Sequence, residues 1–127
     1  MDIYREIILD HYKNPRNFGH LENPDAILEE GNVTCGDRIV MEINTTKVSN
    51  FEFRISNIAF SGEGCAISQA AASMLTEKVK GMPVDEVMKL QASDITEMLG
   101  TELTPSRMKC AVLSLEVLHK LIVSLKK

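Results

Sequence analysis

Four residues spread along the chain carry donor chemistry: Cys35, Asp37, Cys65 and Cys110. Ionised, they make three soft ligands and one hard one. That set suits tetrahedral Zn²⁺ or iron–sulfur chemistry better than Mg²⁺ or Ca²⁺. A carboxylate is a poorer partner for a soft metal than a thiolate, so the Asp37 position can open. A permanent structural zinc site usually has no reason to do this. Four anionic ligands around Zn²⁺ leave a net charge of about −2. Arg107 and Lys109 lie beside Cys110 and can offset part of it. Lys109 directly precedes the cysteine and stays protonated in such a site, as a cation and donor rather than a ligand. The plainer alternatives are three small buried thiols, a turn-forming Asp37 and two solvated cations at a helix start.

The local sequence around each cysteine sharpens the metal reading. Cys65 sits in Gly62-Glu63-Gly64-Cys65-Ala66-Ile67-Ser68, where an extended apolar run gives way to a helical repeat of small residues. Two glycines let the backbone turn sharply there. A thiol at that junction meets the unpaired N–H groups and positive end of the helix, which favour thiolate. Cys35 and Asp37 flank Gly36 in a tight turn. Residues i and i+2 of an extended segment point to one side, so both can face one point in space. Cys110 falls in the second turn of a helix that opens at Thr104-Pro105, a hydroxyl N-cap followed by proline.

The elements that must bring these groups together follow from periodicity. Residues 2–13 read as an amphipathic helix ended by Asn14-Pro15, and 14–25 as a loop. A short strand is expected over 26–33, another over 38–44 with Ile39, Met41 and Ile43 on one face, then a turn over 45–50 and a return strand over 51–60. In that last strand Phe51, Phe53 and Ile55 share one parity while Ile58 and Phe60 have the other, which predicts a bulge near Ser56-Asn57. Helices follow over 66–79, 84–90 and 93–99, then a long one from Pro105 to the C-terminus with Cys110 at the edge of its apolar stripe. The fold class is α+β: a three-stranded antiparallel sheet with helices packed on one face, an N-terminal helix and a long C-terminal helix. All three cysteines can then lie at one end of the sheet.

Composition narrows the function classes. The 127 residues fit one domain, 1–127, with no repeat or linker. With 14 basic against 18 acidic residues and no basic cluster, nucleic acid is not an expected partner. The first twenty residues carry charge throughout, so no signal peptide is expected. No apolar run approaches the roughly 18 residues of a membrane span. A cytoplasmic setting is expected, where an odd number of cysteines argues against structural disulfides. Hydrolytic chemistry is disfavoured: His119 is nine residues past Cys110 and about half a turn round the helix, His11 and His20 have no triad spacing, and no phosphate-binding glycine loop is present.

Taken in order, the motifs resemble a known family. They are Tyr4 with Asp10-His11-Tyr12-Lys13-Asn14-Pro15-Arg16-Asn17, then Cys35-Gly36-Asp37, Gly62-Glu63-Gly64-Cys65-Ala66-Ile67-Ser68, and Arg107-Met108-Lys109-Cys110-Ala111. They resemble the scaffold proteins of iron–sulfur cluster assembly: IscU, SufU and the N-terminal domain of NifU. The resemblance implies that Cys35, Asp37, Cys65 and Cys110 hold the metal or cluster. It also implies a scaffold rather than an enzyme, on which sulfur from a PLP-dependent cysteine desulfurase and iron form a transient [2Fe–2S] cluster for recipient apoproteins or carrier proteins. The alternative within the family is a SufU-type sulfur acceptor holding Zn²⁺, with Cys35 and Cys110 as candidate acceptors and Arg107 and Lys109 as supporting cations. Lys109 before the last cysteine matches the SufU pattern, whereas the 44 residues between Cys65 and Cys110 match IscU-like spacing. Leu103-Thr104-Pro105-Ser106-Arg107 departs from the chaperone-recognition motif of IscU, which argues against an Hsp70-type partner. Outside the family, a zinc-stabilised interaction domain fits the same donor set.

Overall fold

A computed structural model describes residues 3–32, 36–100 and 103–125. The order is α1 (Ile3–Lys13), β1 (Ala26–Asn32), β2 (Asp37–Ser49), β3 (Glu52–Glu63), α2 (Ala66–Val79), α3 (Val84–Val87), α4 (Ala92–Leu99) and α5 (Pro105–Leu125). The strands form an antiparallel sheet in the order β1-β2-β3. None of the helices among the described residues is long and apolar enough to cross a membrane.

Alternation builds the core. Ile39, Met41 and Ile43 of β2 are fully buried on the face that meets the helices. The register of β3 against β2 shifts between Lys47 and Ser49 and again nearer the core, where Asn44 pairs with Asn57 but Thr45 pairs with Ile55, leaving Ser56 as the extra residue. That is the bulge the parity change predicts, and it puts Ile55 beside Ile58 and Phe60 in the core. Three boundaries differ most from the sequence reading: α3 stops at Val87, three residues short of the expected Leu90, and the other two lie in the hairpin. β2 runs on to Ser49 and β3 to Glu63, so only Asn50 and Phe51 separate the strands. Thr45, Thr46 and Val48 are β-branched and stay extended, although their polar neighbours resemble a turn. β1 pairs only with Asp37–Ile43, so the rest of the hairpin continues as a two-stranded ribbon.

α5 is the central helix. It packs against α2, α4, β1 and β2, so its buried surface is wider than one stripe. Cys110, expected at the stripe's edge, is 3% exposed. Ala70, Ala71 and Ala72 of α2 are fully buried, and such small side chains let neighbouring elements approach closely. Lys120 of α5 reaches Glu30 of β1 at 2.7 Å, which ties the helix to the edge strand.

The loop over 14–25 straps the sheet and joins α1 to α2. The Phe60 amide donates to the Asn17 carbonyl and the Gly19 amide to the Phe60 carbonyl. Farther on, the buried Glu42 carboxylate accepts from the Leu21 amide at 3.1 Å and lies 2.6 Å from His20 Nδ1. On α2, Ser73 Oγ accepts the Arg16 N–H at 2.8 Å and lies 2.8 Å from Nδ1 of buried His11. Burial first, then the Arg16 charge, holds the His11 pKa below its ordinary 6.5, against the opposing pull of Glu77 and Asp10.

A pH dependence follows. The unfolded chain takes up a proton on His11 more readily than the folded protein does. The stabilisation is therefore complete above about pH 6.5 and is lost as pH falls through the lower folded value. Thermal melts from pH 7.5 down to 5 should show a falling Tm, and His11→Gln should lower Tm at neutral pH while flattening that fall. An equally steep fall in the variant would assign it to other groups.

Candidate metal centre

Three of the four expected donors meet at the end of the sheet where β2 begins and β3 leaves. One ligand atom each from Asp37, Cys65 and Cys110 lies within 4.8 Å of the others. They come from three elements: the first residue of β2, the residue capping α2, and the second turn of α5. Cys35 lies outside the described residues. Cys65 is half-buried, while Asp37 and Cys110 are buried. Neither described cysteine is in a disulfide.

The sequence builds this corner through backbone geometry. Gly36 turns with φ +70° into Asp37, and Gly62 takes φ +130° just before β3 ends. A Cβ on Gly62 would run into the Arg38 carbonyl oxygen, so only glycine lets β3 leave the sheet this close to β2. Arg38 lies 3.0 Å from Glu29 and 3.8 Å from Glu63, spanning all three strands beside the site. These pairs are largely exposed and contribute little stability.

Cys65 caps α2 with extended backbone, φ −73° and ψ 169°, and without a side-chain cap bond of its own. Asp37 supplies the missing acceptor: its Oδ1 takes the Cys65 N–H at 3.0 Å across 28 residues. The carboxylate thus serves α2, not its own turn. Gly64 makes room for this contact. A Cβ there would strike both Asp37 Oδ1 and Ser68 Oγ, and Ser68 Oγ donates back to the Cys65 carbonyl at 3.0 Å.

Asp37 has its second oxygen left over. Oδ2 is buried and accepts no hydrogen bond, and a buried orphan of this kind calls for a ligand or ion. A carboxylate oxygen with two thiol sulfurs fits Zn²⁺ or iron, so the residues present suit the metals implied by the donor set. Arg107 and Lys109 are exposed on the opening turns of α5. The described histidines serve elsewhere: His11 beside Ser73, His20 beside Glu42, and His119 with Nε2 2.9 Å from the Val87 carbonyl. That geometry removes the cysteine–histidine nucleophile alternative for Cys65 and Cys110. Sequence reading gave Gly64 only a turning role and missed its packing against Asp37 and Ser68; no sequence signal marked Ser68, one of several polar residues in α2.

Residues 3–127 match the profile of the NifU-like N-terminal domain. The chain belongs to that family. It is 36% identical to the zinc-dependent sulfurtransferase SufU of Bacillus subtilis, over 93% of this chain and 88% of that protein. It is 41% identical to the iron–sulfur cluster assembly scaffold protein IscU of Aquifex aeolicus, over 91% of this chain and 71% of the relative. Among solved structures, a candidate iron–sulfur cluster assembly scaffold protein for the SUF system from Fervidobacterium islandicum AW-1 superposes with a TM-score of 0.78 at 25% identity, covering 92% of this chain and 94% of that one.

Gly64→Ala tests the packing of this corner. The Asp37 side chain is the part able to yield, so the variant should lose the Asp37–Cys65 bond and about 1 kcal/mol of stability. Zn²⁺ titration should show weakened binding, whereas wild-type affinity would mean that Asp37 is not held as described.

Proposed function

We propose that this protein, read as one domain over residues 1–127, is an iron–sulfur cluster assembly scaffold acting with a cysteine desulfurase. The observation that carries the reading is the meeting of Asp37, Cys65 and Cys110 ligand atoms within 4.8 Å, with one Asp37 oxygen lacking a partner. Cys35, two residues before Asp37, is the fourth donor on this reading. The substrates are persulfide sulfur, iron and electrons from a thiol or redox-protein reductant, which bring the outer sulfur to sulfide; the product is a cluster passed to apoproteins or carrier proteins in the cytoplasm.

The residues divide the work. An acceptor thiolate attacks the outer sulfur of the desulfurase persulfide; a new S–S bond forms on the acceptor, and the desulfurase cysteine leaves as thiolate. Cys35 and Cys110 are the acceptor candidates; Cys110 is 3% exposed, so its use as acceptor requires the corner to open. Cys65, half-buried at the α2 N-terminus, is a second sulfur donor to the cargo. Asp37 offers the cargo one oxygen while the Cys65 amide holds the other, so it is a weak, single-point ligand that can let go. Arg107 and Lys109, exposed beside Cys110, are the cations available to offset the anionic site. The protein is a carrier or co-substrate in this cycle, not an independent catalyst.

A second reading has its own support. The B. subtilis relative is named a zinc-dependent sulfurtransferase, and Lys109 precedes the last cysteine here as in SufU-type chains. Zn²⁺ on the same donors would offset part of their negative charge and anchor the thiolates. The sulfur acceptor would then hand on persulfide sulfur without building a cluster.

Anaerobic incubation with iron, cysteine and a desulfurase separates the two. A visible-absorbing cluster on the protein supports the scaffold; faster desulfurase turnover on the zinc form without a cluster supports the acceptor. Asp37→Ala should lengthen the life of a reconstituted cluster. It should also cost about 0.5–2 kcal/mol of stability, because the α2 N-terminus loses its acceptor. An unchanged lifetime would remove Asp37 from the release step.

A further inference from the structure

We propose that Gln69 and Ser114 are hydrogen-bond donors to the sulfurs of the centre, supporting Cys65 and Cys110 from one helical turn behind. The inference rests on reading Asp37, Cys65 and Cys110 as ligands. Among the described residues, three buried side-chain polar atoms have no hydrogen-bond partner: Asp37 Oδ2, Gln69 Nε2 and Ser114 Oγ. One belongs to the centre itself. The other two stand four residues after the two described cysteines, Gln69 on α2 and Ser114 on α5.

Helix geometry connects them to the site. Residues i and i+4 share a face, and helical side chains lean towards the N-terminus, over the preceding turn. Cys65 is the extended N-cap rather than a helical residue; the Gln69 side chain leans back over the opening turn of α2, where the Gln69 backbone N–H donates to the Cys65 carbonyl at 3.1 Å. Ser114 leans in the same way towards the turn of Cys110. Gln69 is 7% exposed and Ser114 1%, so neither is a surface residue. A leucine or alanine would fill either position without leaving a buried donor unsatisfied. Retaining an amide N–H and a hydroxyl there makes physical sense if an acceptor arrives with the cargo. Neither donor bonds to a described cysteine sulfur in the empty protein; a thiolate drawn in by a metal, or sulfide arriving with it, is such an acceptor, and donors to sulfur tune affinity and reduction potential.

The test compares empty and loaded protein for Gln69→Met and Ser114→Ala, with Co²⁺ as probe because its thiolate absorption reports the sulfurs. Each substitution removes a donor that has no partner in the empty protein, so the empty variants should melt at or above the wild-type temperature. Loaded, they should bind Co²⁺ roughly tenfold more weakly, with the thiolate absorption moved to longer wavelength. Ser114→Thr, which keeps the hydroxyl, should restore both. Wild-type affinity and absorption in the first two variants overturn the proposal. So does an equal fall in Tm with and without metal, which marks a packing role. A wild-type complex lacking thiolate absorption, or a Cys65→Ser variant binding as tightly as wild type, overturns the ligand set itself and the proposal with it.

Discussion

The hydrogen bond from the Cys65 amide to Asp37 Oδ1 is the constraint on which the site depends. A helix start leaves backbone N–H groups without intrahelical partners, and a carboxylate at the start of β2 answers one of them. Sheet and helix are thereby held at a fixed offset, with a ligand atom from each of Asp37 and Cys65 close to the other. The bond sets two roles at once. It stabilises the fold by capping α2, and it leaves Asp37 with a single oxygen to offer. Gly64 is a consequence of it, since a side chain there would occupy space taken by Asp37 and Ser68.

Around that corner, the architecture separates a stiff support from a reactive edge. The helices and one face of the sheet share the apolar core, and the strap over 14–25 is fastened by hydrogen bonds to β2, β3 and α2. Polar groups buried along the strap are satisfied: Glu42 by the Leu21 amide and His20, Ser73 by the Arg16 amide. The orphaned polar atoms among the described residues lie at the centre or one turn from its cysteines. A protein that satisfies its buried polar groups elsewhere and leaves them open here has concentrated its unsatisfied hydrogen bonding where cargo is expected.

Much of this was legible in the sequence, for identifiable reasons. The parity change between Ile55 and Ile58 required an extra residue, and Ser56 is that residue. Thr104-Pro105 announced α5, and the glycine pair around Glu63 announced a sharp exit into a helix at Cys65. What the sequence hid depends on three-dimensional neighbours. Thr45–Ser49 resembled a turn because composition does not reveal cross-strand pairing. Cys110 looked marginal because periodicity assigns one buried face, whereas α5 is covered by several elements. Asp37 resembled a turn residue because its partner is far away in the chain. Gln69 and Ser114 drew no notice, since a lone polar side chain in a helix is usually solvated.

The separation of the donors along the chain has a kinetic consequence. Asp37 and Cys65 are 28 residues apart, and Cys110 follows only after three further helices have formed. Each closure costs entropy that local contacts cannot repay, so the corner comes together only when α5 docks on α2 and the sheet. A nascent or partly unraveled chain carries the same thiols but not their arrangement. Competence to hold cargo is therefore a late event in maturation, and the donor cluster is itself a sign that the polypeptide has finished folding.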